Sequence, residues 1–390
     1  MRIAAIFPFV VTCLAATQPT LPSPKEIDAR VHQLMAATQA KGIAIAVVDD
    51  GQVRYVQAYG VRNARGEPLQ TDTVMYGASL TKAVVAYATL LLVDAGKLTL
   101  DTPLADLLAH PLAYSQDPGH RGKYGPYNDL AADERWRKIT PRVVLTHSTG
   151  FANFWFMEPD QKLRLHFDPG ARYAYSGEGF SLLQFAVEQG RKERGLGLDF
   201  DEFTQTRIFD PLGMTRTRLM WRDDFAGNLA DGWNDQGKAA EHDARSKVCA
   251  AGSMDTTIAD LAKFVAALVR GAGLSAASRA EMTRPQLPIT TKTQFPSLQP
   301  ELPPNERLKD LAAGLGMIVF DGPQGRGFFK GGHNEMTANT MVCLESGRRA
   351  VLILSNDVRA EAGFAELVRF ILGETGVPFE WEYGDQAGKS

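Results

Sequence analysis

Two apolar hairpins, one near each end of the chain, constrain this fold more than any other feature. Gly42 to Val48 and Val53 to Tyr59 form arms around Asp49-Asp50-Gly51, where an Asp-Gly pair supplies the φ > 0 that a tight hairpin needs. Near the other end, Thr340 to Leu344 and Ala350 to Leu354 flank the turn Glu345-Ser346-Gly347-Arg348, and Leu315 to Phe320 and Gly327 to Lys330 add two strands. Between these ends the pattern is helical: Ser79 to Ala95 closed by Gly96, Gly179 to Glu188, and Thr257 to Arg270. Pro111 to Arg137, rich in Gly, Pro, Tyr and charge, predicts a long surface loop. Runs of strand at both ends with helices between suggest one sheet assembled from both termini. The expected fold class is therefore α/β plus all-α: an antiparallel sheet from both chain ends, flanked by helices, with an inserted helical domain. The expected boundaries are residues 26–77 with 246–383 for the sheet domain and 78–245 for the helical insertion. Phe364, Leu367, Val368 and Leu372, in a helix from Ala360 to Gly373, would cover one sheet face.

Composition narrows the function classes. The 390 residues are 44% hydrophobic and 22% charged, which fits a globular chain rather than a disordered one. Forty-two basic side chains against 45 acidic ones leave a net charge of −3, with no basic surplus for nucleic acid. Met1-Arg2 and the apolar run Ile3 to Ala16 have the pattern of a signal peptide over residues 1–17, too short for a membrane span. This predicts a periplasmic or secreted protein with no stable membrane span once the signal is removed. A lipid anchor at Cys13 is the variant reading, with Thr12 a poor preceding residue. Cys249 and Cys343 can pair in an oxidising compartment or remain two buried thiols. No metal-type cysteine spacing and no His-Glu-x-x-His motif occurs, nor does the Gly-x-Ser-x-Gly elbow of α/β-hydrolases.

The chemistry concentrates at Ser79-Leu80-Thr81-Lys82. A Ser and a Lys three apart on a helix share one face, so the amine reaches the hydroxyl. Serine is a weak nucleophile until a neighbouring base takes its proton, and a partly buried lysine can be that base. The helix N-terminus offers backbone N–H groups to a developing oxyanion. A bare Ser-x-x-Lys quartet turns up by chance in a chain of this length, but here it opens an apolar helix that would strand an unpaired lysine.

With these residues the chain resembles the serine β-lactamase and penicillin-binding-protein superfamily, in the branch of class C β-lactamases, D,D-peptidases and lactamase-like esterases. The resemblance runs from about Ala44 to Ile371. It includes Tyr76-Gly77-Ala78-Ser79-Leu80-Thr81-Lys82, Leu145-Thr146-His147-Ser148-Thr149-Gly150, Pro169 to Ser176, Pro211-Leu212-Gly213-Met214 and Ala251-Gly252-Ser253-Met254-Asp255. It implies a second motif, Tyr-x-Asn, which here reads Tyr175-Ser176-Gly177. Tyr175 would serve as general base or proton relay, while Gly177 stands where the family has an asparagine that holds the lysine and the substrate amide. Glu178 is either a polar substitute for that asparagine or a solvated surface acid. The third motif falls on Phe329-Lys330-Gly331-Gly332-His333-Asn334. There Lys330 would be the cation and Gly332 the close-approach glycine, and the N–H of His333 would form an oxyanion hole with that of Ser79. In an alternative register His333 is the cation. His147 to Gly150 would shape the cavity floor, and Phe151, Phe154, Trp155 and Phe156 form core or a cleft wall.

The resemblance implies acyl transfer through Ser79, activated by Lys82 and Tyr175, on a small-molecule or peptide substrate, with no metal or organic cofactor. Three substrate classes follow: an ester or small amide, a D-amino-acid peptide, or a β-lactam, the last disfavoured by Gly177. A non-catalytic penicillin-binding or sensing module is the rival from another class. Oligomeric state is not legible in the sequence.

Overall fold

The computed structural model describes residues 19–110, 112, 124 and 126–384. The signal segment 1–17 and Cys13 lie outside the described residues. One eight-stranded sheet organises the molecule. Its strands are β1 (Gly42–Asp49), β2 (Gln52–Gly60), β3 (Leu287–Pro288), β4 (Leu311–Ala313), β5 (Ile318–Gly322), β6 (Gly325–His333), β7 (Ala338–Leu344) and β8 (Arg349–Ser355). In space they run β2-β1-β8-β7-β6-β5-β4-β3, every neighbour antiparallel. The first and last strands of this set, β1 and β8, lie side by side with Ile45 opposite Ile353, so both chain ends meet inside one sheet.

Side-chain alternation sorts β1 between two cores. Ala44, Ala46 and Val48 pack on one face of the sheet, and Ile43, Ile45 and Val47 on the other. The first face is covered by α2 (Thr81–Asp94) and α4 (Ile258–Arg270), the second by α1 (Pro24–Thr38) and α5 (Phe364–Leu372). Helix α4 opens on Thr257, whose hydroxyl accepts from Asp260 N–H at 3.0 Å, and stops at Gly271 with φ 64°. Helix α2 is buried nearly all round because it stands between the sheet and the helical layer, where α3 (Gly177–Glu188) lies. The β1–β2 turn is as expected, with Asp50 and Gly51 at φ 50° and 69°.

One local expectation is corrected. Beyond the residues left undescribed in 111–125, the segment is not merely surface loop: Tyr127–Ala132 and Glu134–Lys138 are helical turns that bury Tyr127, Leu130 and Trp136. The apolar members of the segment outweigh its turn-forming ones. Cys249 and Cys343 are both free thiols, Cys343 fully buried in β7. No helix among the described residues is long and apolar enough to cross a membrane.

Candidate active site

Ser79 sits in a tight turn, Ala78–Leu80, that feeds directly into α2. The turn is pinned from several sides. Gly77 N–H donates to Met254 O at 2.8 Å, Asn339 Nδ2 of β7 donates to Tyr76 O at 3.0 Å, and Thr81 Oγ1 accepts from Met254 N–H at 3.1 Å. Ala78 adopts φ 47°, a left-handed backbone that a non-glycine residue holds only when its surroundings impose it. The strain sits one residue before the hydroxyl.

Two polar groups from two elements converge on that hydroxyl. Lys82 Nζ, one helical turn along, lies 3.0 Å from Ser79 Oγ, and Tyr175 OH lies 2.8 Å from it. Lys82 also donates to Ala251 O, which accounts for a lysine only 1% exposed inside an apolar helix. Its ammonium is held 4.9 Å from the centroid of the Tyr175 ring. Burial first, and the like charge of Lys330 with it, press the Lys82 pKa below the usual 10.5, against a smaller opposing pull from Tyr175. A depressed lysine beside a serine hydroxyl is a proton acceptor in waiting.

Tyr175 is braced from behind by His147, whose ring stacks on it at 4.3 Å and 22°. His147 Nδ1 accepts from Ser176 N–H at 3.1 Å, so the imidazole is the neutral tautomer with its proton on Nε2. Burial, and then the charges of Lys82 and Lys330, hold its pKa well below 6.5. His147 thus lies beneath the site rather than in it.

Strand β6 forms the facing wall. Lys330 Nζ lies 5.1 Å from the Tyr175 ring centroid and donates to Gly331 O at 2.6 Å. Its pKa is lowered by burial, with Glu382 pulling the other way. A Cβ on Gly332 would fall 2.9 Å from Leu80 N, 3.0 Å from Ser79 N and 3.1 Å from Gly77 O, so only glycine lets this strand touch the Ser79 turn. The register pairs Gly332 with Asn339, while Asn334 N–H donates to Thr337 O and Glu345 N–H to Arg326 O. Antiparallel alternation then directs the even-numbered N–H groups of β6 to β7 and those of Gly331 and His333 to the opposite edge, beyond the last β5 pair at Phe329. The His333 ring itself lies 3.2 Å from Glu361, close enough for ionic attraction without hydrogen-bond alignment. Burial alone would lower the His333 pKa, but Glu361 and Glu382 outweigh it and raise it. Of the two registers, the geometry puts Lys330, not His333, against Tyr175.

These groups open into a cleft of about 790 Å³. Phe154 and Phe295 line it, with Asn153, Arg245 and Glu382. No sequence signal marked Phe295, Asn153, Arg245 or Glu382, because each arrives on a loop or terminal helix. Phe151, offered as core or wall, is core, and Trp155 and Phe156 lie outside the cleft lining. Gly177 begins α3, and Glu178 is neither of the two things expected of it. It is 2% exposed, absent from the cleft lining, and accepts from Trp155 N–H at 3.4 Å. Burial pushes its pKa up to about 7. Among the described residues no group of three or more His, Cys, Asp or Glu could hold a metal ion.

This architecture is shared. The octameric penicillin-binding protein homologue from Pyrococcus abyssi superposes with a TM-score of 0.69 at 19% identity, over 93% of this chain and 79% of that one. In sequence, the lovastatin esterase of Penicillium rubens is 31% identical over 233 residues, 53% of this chain and 56% of its own. The unguisins hydrolase of Aspergillus violaceofuscus is 26% identical over 271 residues, 63% of this chain and 45% of its own. The chain spans about half the length of these curated relatives. The Beta-lactamase family pattern matches residues 27–373, which takes in Ser79, Lys82, Tyr175, Lys330, Gly332 and His333 but not Glu382. The chain belongs to the Beta-lactamase family.

Proposed function

We propose that this protein is an exported serine hydrolase that cleaves esters by acyl transfer through Ser79. The observation that carries the reading is the convergence of Lys82 Nζ at 3.0 Å and Tyr175 OH at 2.8 Å on one serine oxygen at the base of an open cleft. Ser79 Oγ attacks the substrate carbonyl and passes its proton to the Lys82–Tyr175 pair. The tetrahedral oxyanion accepts from the N–H groups of Ser79 and His333. The collapsing intermediate expels the alcohol, which takes the proton, and leaves an acyl-serine. Water, deprotonated by the same pair, then adds to the acyl carbonyl, and collapse breaks the acyl–Oγ bond, releases the acid and returns the proton from the pair to Ser79 Oγ. Lys330 keeps the pair in its basic form, since a buried positive charge beside Lys82 disfavours a second proton there.

Ester substrates are favoured over β-lactams and D-peptides because Gly177 carries no amide for the substrate's own amide. The kinship with an esterase agrees with this. Export rests on the Met1–Ala16 pattern. The test is turnover of p-nitrophenyl butyrate, nitrocefin and a D-Ala-D-Ala peptide by the protein and by Ser79→Ala, with intact mass recorded. Ester turnover and an acyl adduct, both lost in Ser79→Ala, are expected. Higher kcat/KM for nitrocefin or the peptide would replace the ester assignment, and no turnover with no adduct would favour a binding module.

A further inference from the structure

We infer that Phe154 determines acyl-chain specificity, and that Gly177 is glycine in order to make room for its ring. The inference rests on the ester reading above and names the substrate class of the same site: esters with an apolar acyl chain. A Cβ built on Gly177 would lie 2.5 Å from Phe154 Cζ and 2.7 Å from Cε1, and 3.2 Å from the Ala251 Cβ. The ring therefore occupies the ground on which any side chain at 177 would begin. That ground is beside the reacting groups, since Tyr175 is two residues away and Lys82 donates to Ala251 O.

The ring is held where it is. Asn153, its neighbour, accepts Gly177 N–H on Oδ1 at 2.9 Å and Glu178 N–H on its backbone oxygen at 2.8 Å, so the loop is bolted to the first turn of α3. Phe156 backs Phe154 in parallel stacking, centroids 5.1 Å apart at 8°. Phe295, which meets the Tyr175 ring edge-on at 5.1 Å, lines the same cleft. An acyl chain entering between these rings loses water-exposed apolar surface, worth about fourfold in kcat/KM per methylene. The position that could have offered it an amide is filled by an aromatic face instead.

The test compares kcat/KM for p-nitrophenyl butyrate and acetate in the wild type, Phe154→Ala, Gly177→Ala and the double variant, with thermal midpoints measured for each. The wild type is expected to prefer butyrate by at least tenfold. Phe154→Ala should cut that preference at least fivefold. Gly177→Ala should cut it by less, because its methyl pushes the ring off the wall without removing it. The decisive arm is the double variant: with no ring left to displace, Gly177→Ala should add nothing to the Phe154→Ala preference and should lower its midpoint less than it lowers that of the wild type. Multiplying effects, or an unchanged preference in Phe154→Ala that turns over acetate, overturns the inference. Loss of all ester turnover in the wild type sinks the ester reading itself, which Ser79→Ala reports separately.

Discussion

Gly332 lines the cleft, Gly177 lies behind the Phe154 ring that lines it, and the two are glycine for opposite reasons. At Gly332 the missing Cβ makes way for backbone: Leu80 N, Ser79 N and Gly77 O all lie within 3.1 Å of where it would be. At Gly177 it makes way for the tip of a side chain, Phe154. Backbone in a pinned turn cannot step aside, whereas the tip of a partly buried ring can be displaced by turning its own side-chain torsions. The strand wall is thus built to fix the distance between β6 and Ser79. The helix wall is built to be furnished differently. On the function proposed above, the first kind of glycine would protect the reaction and the second would select the substrate.

The most severe test of this contrast is Gly332→Ala. Its methyl must drive β6 away from the Ser79 turn, and a shift of the order of 1 Å at a reacting centre costs about 10²-fold in rate. Ester kcat/KM should fall by at least about that factor in a protein that remains folded by circular dichroism. Gly177→Ala should stay within a few-fold of wild type on acetate. Equal losses in the two variants would sink the contrast.

Lys330→Met tests the strand wall by charge rather than by shape. Lys330 is one of the groups that hold the Lys82 pKa below 10.5, so its removal lets that pKa climb. The rising limb of the pH–kcat/KM profile, which reports free Lys82 amine, should move to higher pH, and kcat/KM at neutral pH should drop about tenfold for each unit of that movement. A limb that stays in place would show that Lys330 does not act on Lys82. The variant also leaves Glu382, 4% exposed, without the cation it faces, so Lys330→Met with Glu382→Gln should be more stable than Lys330→Met alone.

The two walls were unequally legible in the sequence. Ser79 and Lys82 could be read directly, because a three-residue spacing on one helix fixes their meeting without any tertiary information. The sheet was legible as well, since hairpins such as Gly42–Tyr59 carry their own turn chemistry. Tyr175, Lys330 and Gly332 were reached only through resemblance: nothing local says that residues 96 and more positions from Ser79 will meet it. Phe154 was visible as an aromatic but not as the occupant of position 177, and Glu178 was misjudged outright. Both failures have one cause. The 153–155 loop folds over the start of α3, burying the acid and seating the ring, and no periodicity records a loop crossing a helix end.

Asn153→Asp probes the helix wall more gently. Aspartate keeps the acceptor for Gly177 N–H but loses Nδ2, which makes no hydrogen bond with the described residues and belongs to a cleft-lining side chain. If that donor meets a substrate oxygen, ester kcat/KM should fall about fivefold, the value of one hydrogen bond of roughly 1 kcal/mol. Thermal stability should hold, whereas Asn153→Ala, which orphans the Gly177 N–H, should melt lower. Unchanged kinetics in Asn153→Asp would leave Asn153 with a bracing role alone.

The smallest kinetic effect belongs to Glu178, on the same wall but behind it. Its pKa is about 7 in the folded protein against 4.5 when exposed, because burial penalises the carboxylate. A folded pKa above the unfolded one means that the native state holds the extra proton. The stability tied to that proton is fully present below pH 4.5 and is lost as pH climbs through about 7, an effect of up to about 3 kcal/mol. Glu178→Gln keeps an acceptor for Trp155 N–H and has no proton to lose, so its stability relative to wild type should rise from pH 5 to pH 8, read as the difference in urea midpoints. Ester turnover should change little, since the side chain does not line the cleft. A pH-independent difference would mean that Glu178 is charged in the fold. The helix wall would then carry a buried carboxylate behind it, held by the Trp155 N–H.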